Sequence, residues 1–200
     1  MNAKVQELLE VAVEAVRSLG VDYAIGGAVA MEAHGFARET QDVDLFALDD
    51  DRVEVLQTLR KYGLVVFPIM TPYHYGAKFP HETNPEVRID VMFPAGEPEL
   101  SAVEWPEECE IQGVKCNVFS VTLLVMAKFY TNRDDKDIPD LAGMMHRGLF
   151  NPREVYDVMQ TVDPSGAQEF AQLIARLRIA SQPRPRPTTP IRPRKPRGKK

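Results

Sequence analysis

The sequence predicts an α/β fold followed by C-terminal helices and a disordered basic tail, and three observations carry that prediction. Up to about residue 120, short segments with apolar residues at every second position alternate with segments whose apolar residues recur at helical spacing. Beyond residue 120 only the helical spacing continues. From Gln182 onward the chain has almost nothing from which a core could be built, and reads QPRPRPTTPIRPRKPRGKK. The division is therefore a core over 1–120, a helical region over 121–181 and a tail over 182–200.

The elements follow in order. Val5, Leu8, Leu9, Ala12, Val13 and Val16 predict an amphipathic helix over 3–18, with Gly20 near its C-terminal cap. A strand over 22–26 ends in Gly26-Gly27, a helix over 28–34 is stopped by Gly35, and a strand over 42–48 follows. Asp49-Asp50-Asp51 reads as the N-terminal signal of a helix carrying Val53, Leu56 and Leu59 and ending near Gly63, rather than as a metal site. Leu64–Phe67 is a strand. The stretch 68–85 is irregular; its His74 and His81 lack metal-site spacing and read as structural. Val87–Phe93 is a strand with Arg88, Asp90 and Met92 on its polar face. Cys109–Ile111 and Lys115–Phe119 form a hairpin about Gly113. Ser120 or Thr122 caps a helix carrying Leu123, Leu124 and Met126, within which Lys128 is embedded. Helices then carry Leu141, Ala142 and Met145, then Val155, Tyr156 and Met159 after Asn151-Pro152, and lastly Phe170, Leu173, Ile174 and Leu177 after Asp163-Pro164.

Composition bounds the function. Two hundred residues with 44% hydrophobic content are enough to bury a sizeable core. No apolar run is long enough to span a bilayer, and the acidic N-terminal helix lacks the profile of a signal peptide, so a cytoplasmic protein with no membrane partner is expected. Cys109 and Cys116 are expected as thiols. The net charge of −5 hides a division: residues 183–200 hold eight Lys or Arg and no acid. Subtracting those eight from 24 basic residues leaves 16 against 29 acidic ones, a net of −13 for the body. The tail has four readings: attraction to nucleic-acid phosphates, docking to a proline-recognising partner, folding back over the acidic body, or a solubilising extension.

The chemistry concentrates in Tyr23–Leu48, YAIGGAVAMEAHGFARETQDVDLFAL. Side chains two apart on a strand share a face, so Asp42 and Asp44 project together while Val43 and Leu45 turn to the core. Two adjacent carboxylates repel unless a cation lies between them, and a hard divalent ion takes oxygen ligands. Gly26 and Gly27 permit a sharp turn and close backbone approach, and the helix after them presents free N–H groups suited to phosphate. Asp90 is either paired with Arg88 alone or is a third carboxylate of the same site.

The run GGAVAMEAHGFARETQDVDL, with Asp90 on a later strand, resembles the nucleotidyltransferases of the DNA polymerase beta superfamily, and more narrowly their minimal or AbiEii-type branch. The resemblance covers roughly residues 20–145. It implies a nucleotidyltransferase fold, a small mixed sheet flanked by helices, and transfer of a nucleoside monophosphate from an NTP such as ATP to an acceptor hydroxyl, with release of pyrophosphate. In that reading Asp42, Asp44 and Asp90 bind Mg²⁺ or Mn²⁺ and are catalytic. Gly26, Gly27, Arg38 and Thr40 contact the nucleotide. Lys128 and the run Arg133–Leu141 match the family's later motifs, so Lys128 is both a catalytic and a nucleotide-binding candidate, and Asp137 and Asp140 join the nucleotide-binding set; Asp137 equally reads as a helix cap. Arg38 has Glu39 and Asp42 as alternative partners. Glycine at 27 stands where many relatives have serine, which removes one hydroxyl contact to phosphate. The acceptor candidates are an RNA such as a tRNA end, a protein side chain or a small molecule such as an aminoglycoside. Several members of the branch are toxins of toxin–antitoxin pairs, which implies an antitoxin partner. The alternative is a non-catalytic nucleotide-binding or partner-binding protein on the same fold.

Overall fold

The computed structural model describes residues 1–79 and 87–180. His81 and the tail over 182–200, with the disorder expected of it, lie outside the described residues. Fifteen regular elements are built on one another: α1 (Ala3–Leu19), β1 (Tyr23–Ile25), α2 (Gly27–Ala33), β2 (Asp42–Ala47), α3 (Arg52–Lys61), β3 (Val65–Pro68), β4 (His74–Lys78), β5 (Arg88–Met92), α4 (Glu99–Glu104), β6 (Glu107–Ile111), β7 (Val114–Val118), α5 (Val121–Thr131), α6 (Asp137–His146), α7 (Pro152–Val162) and α8 (Pro164–Ala180).

All seven strands join one mixed sheet in the order β3-β4-β5-β2-β1-β7-β6. β2 runs parallel to β5, β1 runs antiparallel to β2 and parallel to β7, and the outer strands pair antiparallel. Alternation along the two central strands divides their faces. Val43, Leu45, Ile89 and Val91 are fully buried, while Asp42, Asp44 and Asp90 point to the other side. The buried stripe of α1 lies against β2, β5 and β7.

Local chemistry sets the helix ends. Asn2 Oδ1 accepts the Val5 N–H at 3.0 Å, Ser120 Oγ accepts the Leu123 N–H at 3.3 Å, and Asp163 Oδ1 accepts the Gly166 N–H at 3.0 Å. Each such cap contributes about 1 kcal/mol. Gly20 closes α1 at φ 69°, in the left-handed conformation. No described helix is long and apolar enough to cross a membrane. Cys109 and Cys116 face each other across β6 and β7 as free thiols.

Three expectations need correction. The irregular stretch contains β4, whose His-Tyr-Gly-Ala-Lys sequence lacks alternation; it is a strand because β3 and β5 pair with it on both sides. The short helix α4 was not anticipated, since six residues between prolines carry too little periodicity. Asp49–Asp51 form a 3-10 turn before α3 and make no side-chain cap bond; Asp49 instead pairs with Arg52 through its Nε, at 2.8 Å, and its Nη2.

Candidate active site

The register of β4, β5 and β2 lays out the site as three rungs on one face. The first rung is Asp42 beside Arg88, the second is Asp44 beside Asp90 beside Gly76, and the third is Phe46 beside Met92 beside His74. One oxygen from each of Asp42, Asp44 and Asp90 lies within 4.8 Å of the others. Three carboxylates in so small a space form a hard, anionic oxygen set, which is the donor chemistry that divalent cations such as Mg²⁺ or Mn²⁺ require. The residues fit the ion on that ground.

The electrostatics agree with the geometry. Burial first, and then the charges of Asp42 and Asp90, push Asp44 up to about 7, against the opposing influence of Lys128 and Arg133. Asp42 and Asp90 are each held in place. The Thr40 hydroxyl donates to Asp42 Oδ1 at 2.5 Å, and Arg88 grips Asp90 twice, Nε to Oδ1 at 2.5 Å and Nη2 to Oδ2 at 3.0 Å. Asp90 is therefore paired with Arg88 and part of the carboxylate cluster at once. Thr40 touches Asp42, which makes it a positioning group for that carboxylate.

Gly26 and Gly27 adjoin Asp44. The Gly26 N–H donates to the Asp44 carbonyl at 2.8 Å, and Gly27 has φ 57°. A Cβ on Gly27 would lie 1.7 Å from Asp44 Oδ2, and one on Gly26 would lie 2.7 Å from the Phe46 ring. Gly27→Ala must therefore displace the Asp44 carboxylate and also strain the backbone, by about 1–2 kcal/mol. The expected result is Mn²⁺ affinity weakened by at least about tenfold, the scale of losing a ligand's orientation. Titration calorimetry measures it, and unchanged affinity would dismiss the close approach as irrelevant.

Lys128 does not snorkel to solvent. It turns inward, where its Nζ meets Asp140 Oδ2 at 2.7 Å and Asp137 Oδ1 at 3.2 Å, with 6% of the side chain exposed. Asp137 also accepts from the Arg133 backbone N–H at 3.1 Å, from its Nε at 2.8 Å and from its Nη2 at 3.2 Å. Burial alone would raise Asp137; the Arg133 hydrogen bonds and the Lys128 charge outweigh it and hold the carboxyl below its usual range. Asp137 is the first residue of α6 and its N-cap, Lys136, makes no cap bond, so this carboxylate serves the ion cluster and the Arg133 N–H. Arg38 completes the network, its Nε 3.2 Å from Asp140 and its Nη1 3.0 Å from the Glu39 carbonyl. It pairs with neither the Glu39 side chain nor Asp42.

The structure thus brings Asp42, Asp44, Asp90, Gly27 and Thr40 together, and sets Lys128, Asp137, Asp140 and Arg38 as an adjoining ionic layer. Arg38, Arg88 and Lys136 line, with Asp42, a cleft of about 610 Å³ at the first rung. Sequence reasoning missed two cations that matter here. Arg133 acts on Asp44, and the signal for it was the i,i+4 spacing to Asp137. Arg88 was taken as an alternative to a role for Asp90, whereas it holds that carboxylate.

No family model and no curated protein matches the sequence. Solved structures do. An antigenic nucleotidyltransferase-like protein from Paracoccidioides brasiliensis superposes with a TM-score of 0.59 at 17% identity, covering 88% of this chain and 89% of that one. The antibiotic-resistance factor ANT(2'')-Ia gives 0.58 at 17% identity, covering 90% and 96%. A candidate nucleotidyltransferase from Thermotoga maritima gives 0.52 at 14% identity, covering 74% and 94%. Two of these neighbours are described as nucleotidyltransferases or like them, and the likeness shows that this chain has the nucleotidyltransferase fold.

Proposed function

We propose that this protein transfers a nucleoside monophosphate from an NTP to an acceptor hydroxyl, releasing pyrophosphate, with a divalent metal held by Asp42, Asp44 and Asp90. The observation that carries the reading is the convergence of these three carboxylates within 4.8 Å on a nucleotidyltransferase fold. Bound there, the metal would supply charge neutralisation for the triphosphate and the developing negative charge.

The chain's own residues account for the remaining requirements. In the step, the acceptor oxygen forms a bond to the α-phosphorus, the bond from that phosphorus to its bridging oxygen breaks, and pyrophosphate leaves with the electron pair. Asp90, fixed by Arg88, is placed to take the hydroxyl proton on its way to solvent. Asp44, kept close to Gly27, faces the reacting phosphate across a gap that a side chain would close. The first-rung cleft, with Arg38, Arg88 and Lys136, offers fixed positive charge to the β- and γ-phosphates. Asp140 holds Arg38, and Lys128, held between Asp137 and Asp140, lowers Asp44 toward its charged form. In this reading the 1–120 core carries the metal with Arg38 and Arg88, and the 121–181 helical region adds Lys128, Arg133 and Lys136.

An AbiEii-type assignment, a toxin role and an antitoxin partner rest on the resemblance of Gly26–Leu45 alone. The experiment is transfer of label from the four α-³²P-labelled NTPs, with Mg²⁺, into the RNA, protein and small-molecule fractions of a cell extract. Incorporation by wild type and its loss in Asp42→Ala/Asp44→Ala is the expected outcome. NTP binding through the same aspartates with no incorporation would instead establish the non-catalytic reading.

A further inference from the structure

On the proposed reading, the reacting phosphorus lies at the second rung, between Asp44 and Asp90. The first rung opens on the cationic cleft. The third rung opens on a different one, of about 400 Å³, whose walls include Phe46, Tyr73, Met92, Phe93 and His74 together with Glu97 and Glu99. The two clefts flank the carboxylates on opposite sides along the same face, so a donor and an acceptor each have a place.

His74 marks where the second cleft meets the carboxylates. Its Nε2 is buried with no hydrogen-bond partner, and it stands 4.0 Å from Asp90 Oδ2, too far for a direct bond. A single oxygen placed about 2.8 Å from both atoms fits that separation. Oδ2 already takes the Arg88 Nη2, and a carboxylate oxygen has a second lone pair to offer. A buried ring nitrogen left without a partner costs about 1–3 kcal/mol, which a ligand oxygen would recover.

We propose that the third-rung cleft is the acceptor site, that His74 Nε2 and Asp90 together hold the acceptor hydroxyl, and that the acceptor is a small molecule, uncharged or cationic, with an apolar face. The volume suits a small molecule, since sites that take one hold roughly 300–1,000 Å³. The charge distribution selects against nucleic acid. An RNA acceptor would bring its phosphodiesters past Glu97 and Glu99, and among the described residues no Lys or Arg lines the cleft, Arg52 lying against the Tyr73 and Phe93 rings. Tyr73, 45% exposed, and half-buried Met92 give a ring or aliphatic face something to pack on, and the two glutamates favour an amine.

The test uses the full chain, Mg²⁺ and the four labelled NTPs, with three acceptor pools from one cell extract: the ultrafiltrate, total RNA and total protein. Label is expected in the ultrafiltrate product, resistant to ribonuclease and protease. With the ultrafiltrate as the probe, His74→Phe is expected to lower kcat/KM for acceptor about tenfold, the worth of one lost hydrogen bond, with KM for NTP unchanged. His74→Gln, which keeps a hydrogen-bonding group, recovers part of that loss. Glu97→Lys/Glu99→Lys raises KM for the ultrafiltrate acceptor and leaves NTP binding intact. Label entering RNA or protein instead, or His74→Phe transferring as well as wild type, overturns the acceptor site while the transferase reading stands. No label in any pool overturns both.

Discussion

At pH 8, metal-free Asp44→Asn is expected to melt higher than the wild-type protein and to have lost nucleotidyl transfer. Burial and two neighbouring carboxylates raise Asp44 from 3.8 to about 7 in the folded state. A carboxyl raised in this way favours the folded state in full only below its unfolded value. That contribution is lost as the pH climbs from about 4 to about 7, and above 7 the folded protein carries the charged form at full cost. A shift of three units corresponds to about 4 kcal/mol at most, or about 10 °C in a chain of this size. Asparagine keeps the shape and removes the charge, so its advantage is largest at pH 8 and vanishes near pH 4. A divalent cation reverses the comparison. Wild type gains stability from Mg²⁺ increasingly as the pH passes 7, because the ion must displace the Asp44 proton, and the variant gains little. Transfer falls by about 10³-fold or more, since metal stabilisation of the transition state is worth several kcal/mol. Differential scanning at pH 4, 6 and 8, with and without Mg²⁺, reads all of this. Parallel melting curves for the two proteins across that range would show that Asp44 carries no such strain.

Much of this site was legible because strand alternation is a strict rule. Asp42 and Asp44 share a face whatever else the chain does, and Asp90 joins them only if β5 pairs with β2 in the register that sets Asp44 beside Asp90. The family resemblance supplied that pairing; residue spacing alone did not. Helix ends were equally readable where the cap is local, as at Ser120 and Asp163. Long-range chemistry was not. Lys128 looks like a surface lysine in an apolar helix, and only the meeting of α5 with α6 shows that Asp137 and Asp140 enclose it. His74 lies in a stretch with no readable period, and its place beside Asp90 depends on a strand made by its neighbours. The aspartate run 49–51 does precede a helix, α3, but its side chains cap nothing, and Asp49 pairs with Arg52 instead.

Lys128→Met is expected to destabilise the protein by about 3–5 kcal/mol, because it leaves Asp140 and Asp137 buried with one cationic partner fewer. That amounts to a fall of about 10 °C or more in melting temperature. Two roles are possible for the lysine, and a second variant separates them. In Lys128→Met/Asp140→Leu an apolar pair replaces the Lys128–Asp140 contact, a change that is often neutral for stability, so much of the lost melting temperature should return. The field at Asp44 should not return. Lys128 lowers Asp44 toward the charged form, and no group in the double variant replaces that cation. The pH midpoint of Mn²⁺ binding is therefore expected to move upward in the single variant and to stay displaced in the double. If the double variant restores both the melting temperature and the midpoint, Lys128 is a packing residue whose charge does not reach the carboxylates. If stability returns and the midpoint does not, the buried lysine is part of the site although it lines neither of the two clefts beside the carboxylates, and the helical region after residue 120 is an electrostatic component of the metal centre.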